Sequence, residues 1–349
     1  MKVSILTYHR EDNYGAVMQA YATYKAIVSL GHTAEFIDLR LPNGNKSIIS
    51  KLVFALKHYR FNQFRKRFLS SETPITYYSL DELKSFPPNS DCYLVGSDQT
   101  WNPLIAKELL PAFFLDFGDE KQKRTSYATS IGLREWPGSK VIKEEDIIKC
   151  LSRFDTLLLR EDSAIEIVKE RWGKVAEKVV DPVLLFPDYS ELIGTPKESD
   201  EIIVYKLIDD SYFYDQAFRL SKKMNLPIRS IGSVRRPKGF RASYPEGVTD
   251  WVRRLATAKF LLTDSFHGTV FALLYHRPFI VYVGDPARLT RISELLSNVG
   301  LEDRILSHNS SFEEFINLTK KIIDWNKVDK YLATLREQSI KLFQQSLSE

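Results

Sequence analysis

His267 and Gly268 stand in the stretch Thr263-Asp264-Ser265-Phe266-His267-Gly268-Thr269, directly after the apolar run Phe260-Leu261-Leu262. Asp264 or Ser265 can cap a helix that starts here. Backbone N–H groups in a first helical turn attract anions, and a glycine lets a ligand approach the backbone closely. A histidine at such a place can donate a proton or clamp a phosphate. The same residues also describe a capped helix start with an incidental histidine.

Three more stretches follow an apolar run and carry polar groups. Val95-Gly96-Ser97-Asp98-Gln99-Thr100-Trp101-Asn102 packs hydrogen-bonding side chains and one large aromatic into a turn. That mixture suits a sugar, with its hydroxyls on the polar groups and its apolar face on the ring; a structural turn with Trp101 in the core is the plain alternative. Asn13-Tyr14-Gly15 is a turn between a strand and a helix, with Tyr14 either packing or facing a ligand. Arg160 ends the apolar run before Glu161-Asp162-Ser163. An arginine at a strand end suits bidentate binding of a carboxylate or phosphate, unless it is spent on Glu161 or Asp162.

The spacing of apolar residues supplies the elements that would position these groups. Lys2–Tyr8 reads as a buried strand, Ala16–Leu30 as a helix and Thr33–Leu39 as a strand, an opening that argues for a parallel sheet. Strands are expected at Cys92–Val95, Thr125–Ala128, Thr156–Leu159 and Lys178–Val180. Phe186–Asp200, with Pro187, Gly194 and Pro196, suits a linker. The pattern then restarts with strands at Glu201–Leu207, Ile228–Ile231, Phe260–Thr263 and Phe279–Val283, and helices at Tyr212–Met224, Thr249–Ala256 and from His267. This predicts an α/β protein of two doubly wound, Rossmann-like domains facing a cleft. The expected partition is 1–190, 198–311 and a helical tail over 312–349. Ligands of such sheets bind beyond the carboxyl ends of the strands, where these stretches fall.

Composition restricts the function classes. The 349 residues are 44% hydrophobic and 27% charged with a net charge of +4, a globular composition too weakly basic to argue for nucleic acid. Two cysteines, Cys92 and Cys150, make no disulfide framework and point to a reduced, cytoplasmic setting. The start lacks the apolar core of a signal peptide, and no window is apolar enough to span a bilayer. Between Leu39 and Ser71 there is no acidic residue. The segment Ile48–Leu69 has apolar residues at helical spacing among basic ones, including Arg65, Lys66 and Arg67. It reads as a packing helix with a solvated basic face, or as peripheral contact with the inner face of a membrane. Phosphate-loop, dinucleotide and Gly-x-Ser-x-Gly motifs are missing, and so are metal-ligand spacings, so no metal or cofactor is expected.

Taken together, NYGAVMQAYA, GSDQTWNP, TSYATSIG, LREDSA, VVDPVLL, TDSFHGTVFALLYHRPF and the late RISELLSNVGLEDR resemble the polysaccharide pyruvyl transferase family, in order over most of the chain. The resemblance implies a two-domain GT-B-like fold and phosphoenolpyruvate as the donor substrate. It implies as acceptor a sugar of a surface-polysaccharide precursor, of the exopolysaccharide or capsule kind and carried on a lipid, and a pyruvate ketal as product, commonly across O4 and O6 of a hexose. It implies His267 as catalytic acid or donor ligand and Arg160 as a catalytic donor anchor. Ser265, Gly268, Thr269 and a late arginine, Arg291 or else Arg288, complete the donor side. The strand-end loops Asn13, Tyr14, Ser97, Asp98, Gln99 and Trp101 are assigned to the acceptor. The competing reading is a nucleotide-sugar glycosyltransferase on the same fold; the third is a glycan-binding protein without turnover.

Overall fold

The computed structural model describes residues 1–40, 48–232, 237–242, 246–284 and 286–348, with the side chains of 48–54, 242 and 286–288 outside that description. The chain divides into two compact units. The first comprises Met1–Asn45, Arg65–Phe186 and Ala333–Glu349, and the second Lys46–Phe64 and Pro187–Leu332. The expected helical tail is therefore divided: Trp325–Ser346 begins with the second unit and ends with the first.

The first unit is built on β1 (Lys2–Leu6), β2 (Thr33–Leu39), β3 (Glu72–Tyr77), β4 (Cys92–Val95), β5 (Lys123–Thr129), β6 (Thr156–Leu159) and β7 (Glu177–Lys178). They form one sheet in the order β3-β2-β1-β4-β5-β6-β7, every pair parallel. The second unit carries β8 (Ile202–Tyr205), β9 (Ile228–Ile231), β10 (Arg241–Ala242), β11 (Phe260–Thr263), β12 (Phe279–Val283) and β13 (Ile305–Ser307). Its sheet, also parallel, has the order β10-β9-β8-β11-β12-β13. Both sheets thus follow the doubly wound order, each with a reversal of strand order: between β1 and β4 in one, between β8 and β11 in the other.

The central strands are apolar on both faces because helices cover both faces of a parallel sheet. β4, β8 and β11 are buried at every residue. The expected strands are found with small shifts at their ends. β3, β10 and β13 were not expected, since they are short or polar edge strands without a buried run. In the second unit Phe213, Leu262, Ile280, Tyr282 and Phe315 belong to one core. In the first, Trp101, Phe113, Phe114, Trp136 and Trp172 do. Trp325–Ser346 seals the first unit: Phe343 lies 4.2 Å from Tyr127, ring to ring, and Ser339 Oγ accepts from the Val180 N–H.

The basic segment is a helix, Ile48–Phe68, and its described part is anchored in the protein. Phe61, Phe64 and Arg65 are buried. Arg65 donates to the carbonyls of His9 and Arg10 and to Asp12. Arg65 is thus withdrawn from any basic face that contacts a membrane; Lys66 and Arg67 remain exposed. Among the described residues no helix is long and apolar enough to cross a membrane. Cys92 and Cys150 are free, and burial pushes both thiols up to about 12.

Candidate active site

In the second unit the chemistry gathers where β8 and β11 end. Thr263 closes β11; its Oγ1 donates to the Tyr205 carbonyl (2.7 Å) and accepts from the Ser265 N–H (3.0 Å), which turns the chain. Asp264 then accepts from Lys206 Nζ (3.1 Å) and from the N–H groups of Leu207 (2.7 Å) and Ile208 (3.1 Å). One carboxylate therefore ties the loop after β8 to the loop after β11. Ser265 caps the helix Phe266–Leu274 by accepting from the Gly268 N–H at 3.3 Å.

His267 sits in the first turn of that helix, 7% exposed, with its ring edge-on to Phe266. The guanidinium of Arg291 lies over the Phe266 ring, 5.7 Å from its centroid. Arg291 and His267 thus flank one aromatic ring, a pairing their separation in sequence does not show. Arg288 has its side chain outside the described residues.

Two residues assigned to the donor have another physical task. A Cβ on Gly268 would lie 2.4 Å from Thr263 Oγ1 and 3.2 Å from the Tyr205 ring. Glycine is needed there for helix-on-strand packing rather than for ligand approach. Thr269 is fully buried and its hydroxyl donates back to the Ser265 carbonyl at 3.0 Å. It serves the helix, and its hydroxyl is unavailable to a donor.

In the first unit the loops after β1, β4, β5 and β6 converge on a buried polar cluster. Thr7 Oγ1 donates to the Ser97 carbonyl (2.9 Å) and accepts from Gln19 Nε2 (2.8 Å). Arg160 donates to Asp181 Oδ2 at 2.7 Å, and Ser97 Oγ donates to the same oxygen at 3.3 Å. Glu161 lies 3.6 Å from the Arg160 Nε. Its other oxygen accepts from Ser130 Oγ and from the N–H groups of Ile131 and Gly132. Burial works against the Arg160 charge, but Asp181, Glu161 and Asp98 outweigh it and hold the guanidinium protonated. Arg160 is thus neutralised by protein carboxylates at the strand ends, which differs from the open anion anchor that its position in the sequence predicts.

The acceptor residues separate into two groups. Trp101 is a correction: it is fully buried, stacks on Phe114 and donates its indole N–H to the Phe113 carbonyl. Its ring has no face to offer a sugar. Tyr14 is also buried, at 2% exposure, inside the helix Tyr14–Ser29 that Asn13 caps through the Ala16 N–H. Ser97 belongs to the Arg160 cluster. Asp98 is held at φ +78°, strained for a residue with a side chain, and its carbonyl accepts from Thr100 and Ser130. Gln99 lies against Gly132 and accepts from Asn102 through Oε1.

Four residues around these clusters were given no role in the sequence reading. The Tyr8 hydroxyl and Gln19 Oε1 are buried and without a hydrogen-bond partner among the described residues. Asp181 is the hub of the first unit, and Lys206 is the side chain that donates to Asp264, the hub of the second. Asp181 lies in the stretch VVDPVLL before a proline, and Lys206 falls inside the expected strand Glu201–Leu207 but directly follows β8. His9, Asp38 and Glu72 also lie together as ligand types suited to a metal. Asp38 and Glu72 are, however, paired with Arg10, and Asp38 with Arg40 as well. Those guanidiniums oppose a cation.

The fold recurs in solved structures at low identity. UDP-GlcNAc 2-epimerase from Neisseria meningitidis, bound to UDP-GlcNAc, matches with a TM-score of 0.57 and 13% identity over 99% of each chain. Spinosyn forosaminyltransferase SpnP matches at 0.52 and 12%, over 98% of this chain and 95% of that one. UGT89C1 of Arabidopsis thaliana matches at 0.52 and 10%, over 98% and 99%. These likenesses establish the GT-B type of fold found in glycosyltransferases and epimerases. No curated protein matches the chain in sequence. The model of the family described as polysaccharide pyruvyl transferase matches residues 13–286, a span that takes in Arg160, Asp181, Asp264 and His267. The chain is a member of the polysaccharide pyruvyl transferase family.

Proposed function

We propose that the protein transfers the pyruvyl group of phosphoenolpyruvate to a sugar of a surface-polysaccharide precursor, forming a pyruvate ketal and releasing phosphate. The observation that carries the reading is the family match over 13–286, which includes Arg160 and His267, with His267 in the first turn of a capped helix and Arg291 on the same Phe266 ring.

The reaction needs a proton on the methylene carbon of the donor, which makes C2 electrophilic. One sugar hydroxyl adds to C2 and loses its proton. The bond between C2 and the bridging phosphate oxygen breaks, and phosphate leaves with that oxygen and a proton. A second hydroxyl then adds to C2, loses its proton and closes the ketal. Protons balance: the two lost from hydroxyls equal those gained by carbon and phosphate. His267 is assigned the proton given to carbon or to the departing phosphate. Arg291 offsets the donor's negative charge, and the helix start adds fixed N–H dipoles. Arg160 acts through Asp181 and Ser97 as a positioning residue for the loop after β4. The scheme calls for no metal.

Three arguments support the lipid-linked acceptor, the cytoplasmic setting and peripheral membrane contact: the family's polysaccharide substrates, the two unpaired cysteines and the exposed Lys66 and Arg67. Purified protein given phosphoenolpyruvate and a panel of lipid-linked or synthetic glycans should release phosphate only with an acceptor. Thermal stabilisation by UDP- or GDP-sugars, with no acceptor-dependent phosphate release, would replace this reading by sugar transfer.

A further inference from the structure

A pocket of about 370 Å³ opens at the carboxyl ends of the second sheet, lined by Lys206, Ile208, Asp209, Asp210, Asp264, Val283, Gly284 and His308. Lys206 follows β8, Asp264 follows β11, Val283 ends β12 and His308 follows β13. Four strand ends therefore form one concavity at the reversal of strand order, where ligands of such sheets bind. Its volume falls in the range of small-molecule sites, about 300–1,000 Å³.

The lining decides the chemical class. Among the described lining residues Lys206 is the one lysine or arginine, against three aspartates. Its side chain is 1% exposed and bonded to Asp264, with Phe213 and Tyr282 rings 4.9 and 5.3 Å away. An ammonium has three N–H donors, and Asp264 takes one. Asp210 caps the helix Ser211–Met224 through Oδ1, and its Oδ2 lies 4.0 Å from His308 Nδ1. Burial first, and then Asp210 and Tyr212, push the Tyr282 phenol up, so it keeps its proton and can donate to His308 Nδ1 at 3.2 Å. Ile208 and Val283 supply apolar wall. A phosphate or an enolpyruvate carboxylate would meet carboxylates here with its charge poorly matched. A neutral ring bearing hydroxyls matches the interleaved donors, acceptors and apolar wall.

We propose that this pocket is a subsite for an uncharged pyranose, a sugar of the acceptor, and that the donor phosphate binds elsewhere. The proposal rests on the reading of the acceptor as a glycan. It moves sugar recognition from the loops of the first unit, where Trp101 is buried, to the second.

Methyl NMR of protein labelled at isoleucine and valine tests it directly, because Ile208 and Val283 line the pocket. Methyl hexopyranosides should shift both resonances saturably, and phosphoenolpyruvate should leave them unmoved. Asp210→Asn keeps a good helix cap but loses the charged acceptor, and should weaken hexoside binding about tenfold. His308→Ala, at an exposed position, should weaken it in the same direction. Resonances that move with phosphoenolpyruvate or UDP but with no hexoside overturn the proposal. So do resonances that nothing moves, or hexoside binding unchanged in both variants. The readout needs no turnover, so a protein inactive with phosphoenolpyruvate would contradict the assigned reaction and leave this subsite standing.

Discussion

At the scale of single residues, two neighbours in the same helix turn have opposite reasons for being there. His267 packs edge-on to Phe266 and is assigned proton transfer. His267→Ala should lower turnover about 10²–10⁴-fold with folding retained, checked by steady-state kinetics alongside circular dichroism; near-normal turnover would remove it from the mechanism. Gly268 has no room for a side chain, since Thr263 Oγ1 would stand 2.4 Å from its Cβ. Gly268→Ala should cost about 1–3 kcal/mol of stability through overpacking, read from urea unfolding, and unchanged stability would mean that Thr263 yields freely. The sequence placed both residues correctly at a helix start. It could not separate ligand approach from packing at Gly268, because that distinction depends on Thr263 and Tyr205 lying underneath. Trp101 failed for the same reason: a polar loop conceals a ring pointing into the core.

At the scale of elements, the strand ends are held by carboxylates, each accepting from more than one donor. Asp181 joins Arg160, Ser97 and Val183; Asp264 joins Lys206, Leu207 and Ile208. Removing one member of a buried pair leaves an uncompensated charge, so Asp181→Ala should cost about 3–5 kcal/mol, measured by denaturant melts. Asp38 at β2 follows the same pattern. Burial raises its carboxyl, but hydrogen bonds from Arg40, Thr76 and Arg10 outweigh that and hold it at about 2. A folded value below the usual carboxylate value of about 3.9 adds stability above that pH and loses it as pH falls toward 2. The loss should be about 2 kcal/mol. Urea melts across that window should fall more steeply for the wild type than for Asp38→Asn; equal slopes would contradict the assigned pairing. Strand positions were legible because central parallel strands are apolar throughout. β3 and β10 were not, since edge strands carry no such run; Asp181 stood inside the stretch VVDPVLL but its partners Arg160 and Ser97 are distant in sequence, and Lys206 lay at a strand end without a motif around it.

At the scale of the whole molecule, one doubly wound plan is used twice, and each copy keeps its polar residues where strand order reverses. The final helix belongs to this plan. Phe343 is fully buried against Tyr127, so Phe343→Ala should cost about 3–5 kcal/mol, and a smaller loss in chemical unfolding would show that the helix only decorates the first unit. The central claim is ketal formation from phosphoenolpyruvate, and isotope placement tests it most directly. The reaction is run in D₂O with phosphoenolpyruvate and a glycan acceptor, and the product is examined by NMR and mass spectrometry. The account predicts free phosphate and a pyruvate ketal whose methyl group carries one deuterium from solvent. An acceptor that keeps the methylene group as an enolpyruvyl ether, or that gains no three-carbon unit at all, would contradict it.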